Sequence, residues 1–447
     1  MKIFRSSITN HWLPGARRTG LAIVALLIGL SGVEASAQAV TQLPDDDQVL
    51  ELTASELYRI GGIDADPWET FGENLQLSFG PDGGLYVLDR SGYRVVAIGP
   101  DGARRTEFGN EGEGPGEFRS PSGLVVTPEG DVVVLDFAAR SFSIFDPQGE
   151  YRQSIRIPVV GGSFSMGSIQ ADPRGGGVYS APGGGGMMMM SMESRDGAPP
   201  PVPEPGIPIQ RFSLAGEPVE TLHRAWDPRG SAIPQVSIPG GGRGRGGVGG
   251  IRIGGGQMAF RPTLRWAVTP DGGVAFIDST TYRIQLMDTR GQVGRVLTRD
   301  VAPIPVTDRL KEQEKARRFA ALEAGEGPQM RVAIDNGRGA QTLGQAQVRE
   351  MQREQLESLG FWDEVAPVRG LAVDALGRLW VERGGADPSE PGPIDLVSFS
   401  GAYLGTIPAD GLRTPRAFGP NGLVAYIETD EYDVPTIVVK RLSNPGL

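Results

Sequence analysis

The chain has 447 residues with 66 glycines, 36 prolines and no cysteine, and its formal net charge at pH 7 is −11. The length suffices for one large domain or two ordinary ones, and the glycine and proline content favours turn-rich β structure or low-complexity segments over helix. The lack of cysteine excludes disulfides and thiol nucleophiles, and an acidic chain with four lysines predicts no binding to nucleic acid.

Residues 1–37 have the pattern of a secretory signal peptide. Arg17 and Arg18 precede the apolar run LAIVALLIGL (21–30), and ASA (35–37) supplies the small residues that a signal peptidase needs. Ten apolar residues are too few to span a bilayer, which favours cleavage over a permanent anchor. We therefore expect a periplasmic or secreted protein with no membrane span after signal cleavage, in which residues 38–47 form a linker.

Six copies of one unit follow this N-terminal region. The three clearest copies contain PDGGLYVLD (81–89), PEGDVVVLD (128–136) and PDGGVAFID (270–278). Weaker copies begin at Pro173, Ala375 and Pro420. Neighbouring copies lie about 45 to 47 residues apart, or about twice that distance, and a recurring spacing of this size indicates a repeat fold.

Three tracts without the repeat pattern account for the two longer gaps. Two of them, 183–208 and 226–256, are rich in glycine or proline and predict flexible inserts. The third, 300–361, contains two helix candidates, the first starting at a capping Asp308 and ending at Gly325 and the second at 344–360. These helices fit either a lid over a binding site or a solvated hairpin.

Each copy predicts four short strands separated by glycine-bearing turns; in the second copy they are 123–127, 132–136, 141–146 and 151–157. Four-stranded repeats of this length are the blades of a β-propeller. The last copy supplies three strands, and the segment YRIGG (58–62) matches a fourth. The sequence therefore predicts an all-β fold at 48–447: a six-bladed propeller closed by an N-terminal strand, with a short helical insertion between blades 4 and 5.

The second copy resembles an NHL repeat. The similarity lies in the junction GEGPGEF (112–118), the proline that follows it, the strand VVLD (133–136) and the closing turn PQG (147–149). The resemblance implies a six-bladed propeller of the bacterial exported kind. It implies no single activity, because propellers of this kind include binding modules, lyases and lactonases.

An aspartate ends the second strand of the three clearest copies, at Asp89, Asp136 and Asp278. A catalytic carboxylate would be expected in one blade rather than at the same place in three. Aspartate at a strand end can cap the following turn through its side chain, so we interpret these residues as structural. The chain also lacks the ligand spacing of a calcium-binding EF-hand loop.

All three inserts are expected on one face of the propeller. Residues 183–208 connect the second and third strands of a blade, and the other two inserts are crossings between blades, which emerge on the same side. Long loops gathered on one rim of a rigid scaffold commonly bind ligands, although they can also be tolerated decoration.

Five arginines are candidate ligand-binding residues at the channel mouth on that face. They precede or begin the innermost strands of their blades: Arg119, Arg261, Arg265, Arg369 and Arg413. Guanidinium groups there suit an anionic ligand, and the alternative is that they pair with nearby aspartates and glutamates.

Enzymatic motifs are scarce. The single histidine outside the signal segment, His223, falls in a predicted outer strand at the surface, and the chain has no GxSxG, HExxH or GK[ST] sequence. Gluconolactonase-like propellers hold a divalent metal with carboxylate and amide groups at the channel mouth. Glu73, Asn74, Glu117 and the pair 363–364 lie near blade crossings and keep that alternative open.

Methionines 187–190 and Met192 raise the possibility of copper(I), but four consecutive side chains cannot all point to one ion. We therefore predict a non-catalytic exported propeller without cofactor or bound metal. As a monomer it would bind a protein, peptide or glycan of the cell envelope through its loop-rich face.

Overall fold

The computed structural model describes residues 38–158, 163–164, 167–182, 189–190, 205–216, 219–228, 258–325, 333–335, 340–342, 345–385, 387, 390–430, 432 and 434–443. The predicted signal peptide, most of the two glycine-rich inserts, and Met187, Met188 and Met192 lie outside the described residues. None of the helices formed by the described residues has the length and apolarity needed to cross a membrane.

Two strands precede the first blade: β1 (Ala39–Gln42) and β2 (Ala54–Gly61). Blade 1 consists of β3 (Gln76–Phe79), β4 (Leu85–Asp89), β5 (Arg94–Ile98) and β6 (Arg104–Phe108). Blade 2 consists of β7 (Pro121–Val126), β8 (Val132–Asp136), β9 (Ser141–Phe145) and β10 (Tyr151–Arg156). Neighbouring strands within each blade are antiparallel, as the repeat predicted.

In blade 3 a short pair, β11 (Ser163–Phe164) with β14 (Met189–Met190), accompanies the four blade strands. Those strands are β12 (Ile169–Ala171), β13 (Gly177–Ser180), β15 (Ile207–Ser213) and β16 (Glu220–Ala225). Before blade 4 comes β17 (Met258–Ala259). Blade 4 contains β18 (Arg265–Val268), β19 (Val274–Ile277), β20 (Arg283–Met287) and β21 (Val293–Thr298).

The predicted helical insertion lies between blades 4 and 5. Its elements are β22 (Ile304–Pro305), α1 (Asp308–Ala324), β23 (Ala333–Asp335), β24 (Ala340–Thr342), α2 (Gln345–Glu357), β25 (Gly360–Phe361) and β26 (Glu364–Val365). The capping residue of α1 is Thr307 rather than the predicted Asp308, because the Thr307 side chain accepts a hydrogen bond from the Leu310 amide. The helix ends at Gly325 in the left-handed conformation, as predicted.

Blade 5 consists of β27 (Val368–Val373), β28 (Leu379–Gly384), β29 (Pro391–Val397) and β30 (Tyr403–Ile407). Blade 6 contains β31 (Ala417–Phe418), β32 (Leu423–Thr429) and β33 (Pro435–Leu442). Its outermost strand is β2, which pairs antiparallel with β33 and places Ile60 opposite Ile437. The first and last parts of the described chain thus share one sheet, and the predicted closure of a six-bladed ring is confirmed.

The core lies between the blades. Alternate residues of β4 face opposite neighbours: Leu85 and Val87 pack in a cluster with blade 6, whereas Tyr86 and Leu88 pack in a cluster with blade 2. Both faces of each blade are therefore buried, which explains why the middle strands are continuous apolar runs rather than alternating ones.

The N-terminal segment 39–61 extends across three blades, which the sequence did not predict. Strand β1 pairs parallel with β21 as a fifth strand of blade 4. Farther along, the backbone of Gln48 and Leu50 exchanges hydrogen bonds with Thr406 of blade 5, and β2 then joins blade 6. We call residues 39–61 the N-terminal strap.

Candidate ligand site at the channel mouth

The innermost strands of the six blades are β3, β7, β12, β18, β27 and β31. Each begins on the face that carries the blade crossings, so the residues at their first positions surround one end of the channel. We call this end the mouth. It is where the sequence placed the candidate arginines.

The strand-ending aspartates fix the backbone around the mouth. Asp136 accepts hydrogen bonds from the amides of Arg119 and Ser120, which precede β7, and from Ala139 in the following turn. Asp89 caps its turn through the Gly92 amide. Asp278 bonds the Trp226 amide and the Gln285 side chain, so its structural role is confirmed through other partners.

Arg265 is the first residue of β18, and its side chain is exposed. Surrounding protein nevertheless lowers the pKa of its guanidinium by desolvation; the carboxylate of Glu382 opposes this effect and the charge of Arg369 adds to it. Arg265 is therefore solvent-accessible although neighbouring protein groups surround much of its side chain. Arg265 makes no hydrogen bond or ion pair with any residue of the described chain.

Arg369, the second residue of β27, donates from Nη1 to the carbonyl oxygen of Glu390 at 2.8 Å. Nearby, the carboxylate of Glu382 lies against Gly370, where an added Cβ would be 3.0 Å from its Oε2. Two guanidinium groups and one carboxylate therefore lie on the blade 4–5 side of the mouth, next to the backbone of Glu390.

The other three predicted arginines have different surroundings. Arg119 lies at the entry to blade 2, half-exposed, with its Nε 3.4 Å from Oε1 of Glu113, which fits the alternative that it is paired. Arg261 is partly buried at the entry to blade 4. Arg413 is exposed before blade 6, and its carbonyl accepts a hydrogen bond from the Tyr426 hydroxyl. The residue directly before β31 is Arg416, which is also exposed and which the sequence did not single out.

Four aromatic residues lie beside the entries to blades 4 and 5. The rings of Trp226 and Trp362 are 6.3 Å apart and nearly perpendicular, and those of Phe260 and Phe361 are 6.1 Å apart. Trp226 remains 45% exposed. We call Trp226, Phe260, Phe361 and Trp362 the aromatic rim. The rim could not be predicted from the sequence, because three separate segments of the chain supply its members.

The backbone holds the aromatic rim in place. Strand β17 pairs in parallel with β25, and the Trp362 amide donates to the Ala259 carbonyl at 3.0 Å. The Trp226 amide donates to Asp278 at 2.7 Å. In blade 2 the equivalent aspartate binds the residues immediately before the inner strand, whereas Asp278 binds Trp226, the first residue of the 226–256 insert.

Phe260 differs from its equivalents in the repeat. The same position in blades 1 and 2 is occupied by Phe71 and Phe118, which are 7% and 0% exposed. Phe260 is only partly buried and has a left-handed backbone with φ of 61°. That conformation costs about 1–3 kcal/mol in a residue other than glycine. Blade 4 thus departs from the repeat beside the exposed arginine.

His223 is half-buried rather than at the surface as predicted. Its ring packs 4.9 Å from that of Phe276 in the next blade. Burial lowers the pKa of this histidine, and Asp278 opposes the shift. These contacts indicate a packing role.

The carboxylates considered for a lactonase-type metal site have separate surroundings. Glu117 accepts hydrogen bonds from the Gly114 amide and the Asn110 side chain, which lower its pKa. Asn74 has a left-handed backbone in the loop before β3, next to Glu73, whereas residues 363–364 lie at β26. Among the described residues, no three histidine, aspartate or glutamate side chains are grouped closely enough to hold a metal ion.

The sequence matches no known family profile and no curated protein. Solved structures that align over most of the chain include a proposed exported protein of Bacteroides fragilis, which is 11% identical with a TM-score of 0.45 over 91% of this chain and 100% of that chain. A gluconolactonase of Xanthomonas campestris is 11% identical with a TM-score of 0.33, over 88% and 97% of the respective chains. The calcium-binding protein regucalcin of Agrobacterium tumefaciens is 13% identical with a TM-score of 0.35, over 90% and 96%. Similarities at this level say nothing about the activity of this chain.

Proposed function

We propose that this chain is an exported, non-catalytic propeller of the NHL type that binds an anionic protein, peptide or glycan of the cell envelope at the blade 4–5 side of its mouth. The observation that supports this most is the state of Arg265, which is desolvated, accessible and without an ion-pair partner in the described chain. Guanidinium groups bind carboxylates in a bidentate manner, so an anionic ligand would supply the missing partner.

The surroundings support the same proposal. Arg369 adds a second positive charge beside Arg265, and the carboxylate of Glu382 acts on Arg265 in the opposite direction. Positive potential focused in a concave site attracts anions even when the whole protein is acidic. The helical insertion and the aromatic rim lie at the neighbouring blade crossings, where loops on a rigid scaffold commonly contribute to binding.

Titration calorimetry at low salt would test this proposal with three polymers: polygalacturonate, poly-L-glutamate and neutral dextran. We expect binding of at least one acidic polymer and none of dextran. Arg265→Gln should weaken that binding about tenfold or more, because one charge-assisted contact is lost. The matched control is Arg290→Gln, which removes an exposed arginine from blade 4 in a turn on the opposite face and should leave the affinity unchanged.

The lactonase alternative predicts different results. Purified protein dialysed against buffer would retain about one calcium, zinc or manganese ion per chain by elemental mass spectrometry, and it would hydrolyse gluconolactone. Both results together would contradict the proposal. So would equal binding of the acidic polymers by the wild type and Arg265→Gln.

A further inference from the structure

The aromatic rim provides the strongest indication of which ligand the mouth accepts. It presents Trp226, which is 45% exposed and lies in edge-to-face contact with a second indole. Aromatic side chains beside a small number of polar groups are typical of ligand-binding sites. The rim adjoins the entries to the same two blades that supply Arg265 and Arg369.

Two backbone amides of the rim already have acceptors within the protein. The Trp226 amide is bound by Asp278, and the Trp362 amide is bound by the Ala259 carbonyl. An extended peptide that adds a strand requires free backbone donors and acceptors. The described residues here also offer aromatic side chains and guanidinium groups, which bind a ligand without adding a strand.

Aromatic faces and guanidinium groups together match a sugar acid. The C–H groups on one face of a pyranose ring carry slight positive charge and are attracted to the negative face of an indole. A carboxylate on the same ring suits a guanidinium group. A neutral sugar would leave Arg265 unpaired, and an acidic homopolymer such as poly-L-glutamate would offer no ring to stack on the indole.

We propose that the aromatic rim and Arg265 form a subsite for an oligosaccharide of hexuronic acid, in which a sugar ring stacks on Trp226 and a carboxylate pairs with Arg265. This inference rests on the proposed function and narrows its ligand to one chemical class. The departure of Phe260 from the repeat supports it, because blades 1 and 2 bury the phenylalanine that blade 4 places beside Phe361.

Titration of the purified chain with a galacturonic acid oligomer would test the inference, with its carboxyl-reduced, neutral counterpart and poly-L-glutamate as comparison ligands. We expect the acidic oligomer to bind and to change tryptophan fluorescence, and the neutral oligomer to bind more weakly. Trp226→Ala should weaken binding about tenfold, whereas Trp226→Phe should retain most of it. The fluorescence change should be largely lost in Trp226→Phe.

The matched control is Phe399→Ala, which removes an aromatic side chain of similar exposure from a turn of blade 5 on the opposite face. It should bind as the wild type does. Unchanged affinity in Trp226→Ala together with loss in Arg265→Gln would overturn the sugar subsite and leave the anionic mouth standing. Binding of poly-L-glutamate without binding of the sugar acid would do the same. If no acidic probe bound, both proposals would fail.

Discussion

Arg299 and Asp395 form an ion pair in which both side chains are fully buried, with Nη1 2.7 Å from Oδ1. The guanidinium is also 2.7 Å from Asp47 of the N-terminal strap and stacks over the ring of Tyr403. Blade 4, blade 5 and the strap therefore meet at one charged cluster. The stability of the blades that form the candidate site depends on charges supplied by a segment far away in the sequence.

Loss of the buried Asp395 carboxylate should greatly lower the free energy of unfolding. Asp395→Asn leaves the buried positive charges of Arg299 and Arg383 with less negative charge beside them. Removing one member of a buried ion pair typically costs about 3–5 kcal/mol. Urea unfolding should show this loss. Glu56→Gln, which breaks the exposed pair with Arg59, should change the free energy of unfolding by less than about 1 kcal/mol. Equal effects of the two changes would contradict the role of the buried pair.

The strap should make the protein sensitive to acid. Burial raises the pKa of Asp47, but hydrogen bonds and charges from Arg383 and Arg299 outweigh this and hold it below its usual value of 3.8. A depressed carboxyl pKa stabilises the folded state at pH values above 3.8, and that stabilisation is lost as the pH falls through the folded value. The fall in thermal stability below that pH should therefore be smaller in Asp47→Asn. A wild-type-like acid response in the variant would count against the link.

Ring closure can be tested within one strand. Ile60 of β2 is 2% exposed and packs between blades 6 and 1, whereas Leu57 of the same strand is 43% exposed. Ile60→Ala should lower the free energy of unfolding by about 2–5 kcal/mol, because it leaves a cavity at the closing strand. Leu57→Ala should have a much smaller effect in the same denaturant titration. If the two variants unfolded alike, β2 would not be a packed part of blade 6.

His223 should destabilise the fold when it becomes protonated. Burial against Phe276 lowers the pKa of His223 in the folded chain below its usual value of 6.5. The unfolded chain therefore binds a proton more readily than the folded chain as the pH falls below 6.5. Stability should thus be complete above that pH and decrease as the pH falls through the folded pKa. Differential scanning calorimetry from pH 7.5 to 5 should show this component in the wild type and not in His223→Phe. Its persistence in the variant would assign it to another group.

The repeat made the fold predictable from the sequence, whereas the candidate site depends on tertiary contacts between distant segments. Copies such as 81–89 and 128–136 indicate strands, turns and blade count, because the same local chemistry recurs. Strand β1 was missed because AVTQ is short, belongs to no repeat and pairs with a distant strand. Single-residue assignments were also limited: Arg416, not Arg413, adjoins β31.

The aromatic rim shows the same limit. Trp226 follows blade 3 and Trp362 follows the helical insertion, so their contact joins two segments that are far apart in the sequence. The repeated aspartates did predict a structural role for Asp278. Its partner is Trp226, at the crossing from blade 3 to blade 4, and the repeat period gives no information about that contact.

If the positive charge at position 265 recruits an anionic ligand, reversal of that charge should abolish binding. Arg265→Glu, compared with Arg265→Lys in calorimetric titrations of polygalacturonate and poly-L-glutamate, separates charge from side-chain shape. We expect the lysine variant to retain measurable binding of the acidic polymer that binds the wild type, and the glutamate variant to lose it. Wild-type affinity in the glutamate variant would contradict a role of this charge in binding.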